Sequence, residues 1–66
     1  MTRKTSTKNM EMILAIRELQ KMISNTETQE VIKILKQARN SLIKIYEDNE
    51  GELQQILIAI ENMSNQ

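Results

Sequence analysis

No cysteine, histidine, proline, tryptophan or phenylalanine occurs in the 66-residue chain, and glycine and tyrosine occur once each, as Gly51 and Tyr46. Without cysteine there is no disulfide framework, no zinc ribbon and no thiol chemistry. Without histidine the commonest general base and metal ligand are missing, so neither an enzyme nor a metal or cofactor binder is expected. Long hydrophobic runs are absent too. The longest, Met12 to Ile16 and Ile56 to Ile60, hold five residues each, against the roughly twenty that a membrane helix requires. The charged opening Met1-Thr2-Arg3-Lys4 leads to an apolar stretch cut short by Arg17 and Glu18, which is not a secretory signal pattern. The chain reads as one cytoplasmic domain.

What is present is aliphatic. Ten Ile, six Leu, five Met and one Val stand beside the single aromatic, so packing must come from many medium side chains, with Met filling gaps. A chain this short buries only about 60 % of its unfolded surface, which leaves a thin core and little reserve of stability. The abundance of Ile, Lys, Asn and Gln suits an AT-rich bacterial, plasmid or phage genome.

The fold class expected is all-α. Residues 1–9 carry Arg3, Lys4 and Lys8 and nothing apolar after Met1, the composition of a flexible basic arm. A single helical domain is expected over 10–66. In its first helix, about 10–24, Met12, Ala15, Ile16, Leu19, Met22 and Ile23 fall on one face at 100° per residue. A polar segment follows in which Thr26 and Gln29 have capping-box spacing, opening a second helix over about 27–48. There Val31, Ile32, Ile34, Leu35, Ala38, Leu42, Ile43, Ile45 and Tyr46 cover about half the circumference, with only Arg39 intruding. A stripe this broad suits an element with two neighbours, so the second helix is expected at the centre.

The polar stretch Glu47 to Glu52 holds Asp48, Asn49 and Gly51, all poor helix formers. A third helix over about 50–63 is expected, capped by Asn49 with Glu52, its apolar face formed by Leu53, Ile56, Leu57, Ile60 and Met63. A small three-helix bundle results. The alternative is a helical hairpin, because Leu53, Ile56 and Ile60 continue the angular count of Leu35 and Leu42 and Gly inside a helix costs only about 1 kcal/mol.

Function is read from what a monomer cannot use. Met10, Ile13 and Leu14 lie off the main face of the first helix, and Ile58 lies opposite the centre of the third helix's stripe. These four are the candidate protein interface, for a homodimer or another protein. The expected role is that of a small non-enzymatic regulatory or adaptor protein acting through helix-mediated contact.

The competing reading is a nucleic-acid-associated protein. Arg3, Lys4 and Lys8 with the Lys33, Lys36, Lys44 stripe would give weak, salt-sensitive, sequence-indifferent binding to an anionic partner. A helix-turn-helix reader is disfavoured because the third helix contains no Lys or Arg. The acids Glu47, Asp48, Glu50 and Glu52 lack the ligand spacing of a calcium loop. Ser41, Thr26 and Thr28 have no neighbouring base to activate them. No small-molecule substrate is implied.

Overall fold

The computed structural model describes residues 7–64 as three helices, α1 Thr7–Asn25, α2 Gln29–Asp48 and α3 Leu53–Ser64. The three-helix architecture is the one the periodicity predicts, and the alternative helical hairpin, with one long second helix, is not formed, since α2 stops at Asp48. α1 starts earlier than expected: residues 7–9, assigned to the arm, are helical, and Asn9 is buried at 6 % exposure. Residues 1–6, the rest of that arm, lie outside the described residues.

Neither helix junction uses the cap that the sequence spacing suggests. Thr26 does not open α2. Its hydroxyl donates backwards to the Met22 carbonyl at 2.6 Å, and Ser24 does the same to Gln20 at 3.1 Å, so both alcohols serve the carbonyls at the end of α1. α2 starts after Thr28, which is extended (φ −83°, ψ 118°), makes no side-chain cap bond, and accepts the first helical bond from the Ile32 amide. Glu30 in the first turn faces the positive end of the helix dipole.

Asn49 likewise does not open α3; it closes α2. The Gly51 amide donates to the Tyr46 carbonyl at 2.9 Å and the Glu50 amide to the Glu47 carbonyl at 3.1 Å. This pair of bonds is the Schellman arrangement, which satisfies the last carbonyls of a helix and reverses the chain. The left-handed residue that it requires is Glu50 (φ 61°), not the glycine. Gly51 serves space: a Cβ there would sit 2.5 Å from three atoms of the Tyr46 ring. That ring is 1 % exposed, and its hydroxyl donates to the Glu52 carbonyl at 2.8 Å. Tyr46 thus braces the link on which α3 turns.

The turn sends α3 onto α1. Helix α1 packs against both α2 and α3, while α2 and α3 meet only weakly. The central element is therefore α1, not α2 as the width of the α2 stripe suggests. The reason is local, because the bend at residues 49–52 directs α3 away from its predecessor. Two polar clasps fix α1 in place. Asn9 Nδ2 donates to the Asn49 carbonyl (3.0 Å) and Asn49 Nδ2 donates to Asn9 Oδ1 (2.9 Å), tying the start of α1 to the end of α2. Arg39 donates to Gln20 Oε1 at 2.8 Å, which accounts for the one charge on the apolar half of α2.

The core is small: Met12 and Ile16 from α1, Tyr46 from α2 and Ile56 from α3, with Ile13, Leu42, Ile43 and Ile60 packed partly against them. Along its shortest axis the molecule measures 15 Å, against 47 and 26 Å along the others. With α2 and α3 meeting only weakly, each helix keeps a bare side.

Candidate protein-interaction surface

The bare sides are apolar. Among the described residues nine large hydrophobic side chains are exposed, against four in the core: Met10, Leu14 and Met22 on α1, Val31, Ile34 and Ile45 on α2, and Leu53, Leu57 and Ile58 on α3. Of the four interface candidates from the sequence, Met10 and Leu14 stand one turn apart at 55 % exposure each, and Ile58 is 44 % exposed. Ile13 differs. It is half-buried and packs against the core. Lying between two neighbours, α1 buries a wider arc than its six-residue stripe suggests, and the flank carrying Ile13 falls inside that arc.

The surface that the sequence reading missed is on α2. Its broad stripe splits along the helix axis. Ile32, Leu35, Leu42, Ile43 and Tyr46 turn toward α1 and are half or fully buried. Val31, Ile34, Ala38 and Ile45 form the other edge and are exposed, Ile34 the most at 63 %. With Ser41 these positions run 31, 34, 38, 41, 45, a spacing of three and four that defines a coiled-coil seam. The spacing is visible in the sequence, but so is the core-facing set beside it, and their merger concealed the seam. The expected core positions Leu53 and Leu57 of α3, one turn apart, are exposed as well.

The polar candidates scatter. Lys8 lies exposed on α1, and Lys33, Lys36 and Lys44 are exposed on α2; Arg3 and Lys4 lie outside the described residues. At 100° per residue Glu47 falls inside the arc spanned by the three α2 lysines, which weakens that stripe as an anion-binding surface. Arg39 is held to Gln20 and Asn40. Glu47, Asp48, Glu50 and Glu52 are exposed, and among the described residues no group of three or more His, Cys, Asp or Glu side chains is placed to hold a metal ion. Burial pushes the Tyr46 phenol above the ordinary value of 10.0, and the nearby Glu52 charge adds to that shift.

Among the described residues no helix is long and apolar enough to cross a membrane, and every buried side-chain nitrogen or oxygen has a hydrogen-bond partner. No protein-family model, curated protein or solved structure matches the chain.

Proposed function

We propose that the protein works by contact, as a small regulatory or adaptor protein without catalytic activity whose exposed helical faces bind protein surfaces. One observation carries the reading: among the described residues the fold exposes nine large apolar side chains and buries four. Scattered exposed hydrophobics are ordinary on a protein surface, but here they recur one turn apart on each helix, as Met10 with Leu14, Val31 with Ile34, and Leu53 with Leu57. A helix face with that spacing is suited to lie in a groove or against another helix.

The test replaces Met10, Leu14 and Ile58 together by Gln. All three are exposed, so helix content by circular dichroism is expected to be unchanged. In chemical crosslinking within a native host extract, the wild-type chain is expected to form defined adducts, to itself or to another protein, that the variant loses. If the wild-type chain forms no adduct, or both chains form the same ones, these residues are not a binding surface.

The nucleic-acid reading rests on the exposure of Lys33, Lys36 and Lys44. Binding that appears at low ionic strength in a mobility-shift titration and vanishes steeply with salt would favour it. No shift at low ionic strength removes it.

A further inference from the structure

We infer that the bare edge of α2 is the seam of a symmetric antiparallel dimer in which α2 packs against α2 of a second copy of this chain. The inference rests on the contact-based function proposed above and identifies one occupant for one surface.

Three observations lead to it. The apolar arc of α2 is wide enough for two neighbours, yet α3 turns away to α1 and meets α2 only weakly, so among the described residues α2 has one helix packed closely against it. The uncovered edge has coiled-coil spacing, Val31, Ile34, Ala38, Ser41 and Ile45, and all five are exposed. Its ends are β-branched and its centre is small, a profile that lets two backbones approach closely at Ala38 and Ser41 while the larger side chains interlock outside them.

Charge selects the direction. On the solvent flank of the seam Glu30, Gln37 and Lys44 follow one another at intervals of seven, all exposed. An antiparallel pair centred on Gln37 and Ala38 sets Glu30 against Lys44 of the second copy, Lys44 against Glu30, and Gln37 against Gln37. The same centre, within about one residue, brings Val31 to Ile45 and Ile34 to Ser41. The acidic, neutral, basic order is thus self-complementary only when the helices run in opposite directions. Charge complementarity of this kind fixes register and orientation more than affinity.

The experiment uses the whole chain. Light scattering over a concentration series is expected to give a mass rising from one chain to two. Ile34→Lys, at the most exposed seam position, is expected to keep the wild-type helix content and hold the mass at one chain. Glu30→Lys is expected to weaken pairing, and Glu30→Lys with Lys44→Glu to restore it. Because the protein has no cysteine, Glu30→Cys and Lys44→Cys chains can be joined by a short bis-maleimide. The mixture is expected to crosslink several-fold more than either chain alone.

A single-chain mass at the highest concentration reached, a two-chain mass that survives Ile34→Lys, or preferential joining of Glu30→Cys chains to one another overturns the inference. If it fails while host-extract adducts still depend on Met10, Leu14 and Ile58, the contact-based function stands and only the occupant of α2 is wrong. If no adduct of any kind forms, the function itself fails.

Discussion

Replacing Gly51 by Ala tests whether this glycine exists for the ring beneath it. No main-chain strain is involved, since the left-handed residue of the link is Glu50. The added methyl would stand 2.5 Å from Cε1, Cε2 and Cζ of Tyr46, where ordinary contact needs about an ångström more. The ring has little room to yield, because it is 1 % exposed and anchored to the Glu52 carbonyl at 2.8 Å. Overpacking of this kind costs about 1–3 kcal/mol. Loss of the phenol bond adds about 0.5–1.5 kcal/mol, and the restricted unfolded chain returns about 0.4–1 kcal/mol. The net expectation is a loss of about 1–3 kcal/mol. At roughly 4–8 °C per kcal/mol for a domain this size, thermal melting by circular dichroism shows it as a drop of several degrees at least. In a Tyr46→Ala background the clash is gone, so the same Gly51→Ala change is expected to be neutral or slightly stabilising. A midpoint equal to or above wild type in the single variant, or equal losses in both backgrounds, refutes the reasoning.

Other perturbations probe the same junction and its neighbours. Glu50→Gly is expected to stabilise by about 0.5–1 kcal/mol in urea unfolding, because a side chain in the left-handed region costs about 1–2 kcal/mol and glycine returns part of that as unfolded-state entropy. Asn9→Ala removes both amide bonds to Asn49 and leaves half-buried polar atoms without partners, an expected loss of about 1–3 kcal/mol in the same assay. For Tyr46, the raised phenol pKa means that the folded state holds the proton more tightly than the unfolded state does. Its contribution is therefore complete below pH 10 and is lost as pH rises through the folded value. Tyr46→Phe is expected to be less stable than wild type near neutrality, and the gap between the two should narrow above pH 10 in alkaline melting curves.

The helices themselves were legible because burial on one face leaves a 3.6-residue period. The bend was legible in part, since Asp48, Asn49 and Gly51 are poor helix formers standing together. What each residue does within it was not. The positive-φ position falls on Glu50, a choice that propensity does not favour, because the Schellman bonds count from the end of α2 and place Gly51 one step too late. Thr26 had capping-box spacing to Gln29, yet a hydroxyl can serve the helix behind it equally well, and spacing carries no sign of direction. Asn9 sat in a polar run indistinguishable from a solvated arm. Its partner Asn49, forty positions away, gives it a structural role that no local pattern announces.

The central helix was misassigned for a related reason. Stripe width on α2 suggests room for two neighbours, but among the described residues only α1 packs closely against it, and a stripe carries no sign of which element it will meet. Ile13 was misplaced by the converse error, on a helix whose stripe looked sufficient for one neighbour and which received two.

This leaves the question of how strongly exposed edges such as that of α2 can hold a partner. Val31, Ile34 and Ile45 are 43, 63 and 46 % exposed, so half of their surface is already covered by the fold. Full burial of a side chain of this kind is worth about 1.5–3 kcal/mol, and the remaining half about 0.75–1.5 kcal/mol each. Six such side chains in a symmetric pair would contribute about 5–9 kcal/mol, the same order as the 4–15 kcal/mol lost in freedom on association. A balance that close favours reversible, concentration-dependent contact over a permanent assembly. It also ties stability to association, because a partner that binds only the folded chain raises its melting temperature by mass action. In a fold with four buried apolar residues among those described, that linkage would be large relative to the core itself, and the amount of folded chain would track the amount of partner. Such a coupling is what a small contact-based regulator requires.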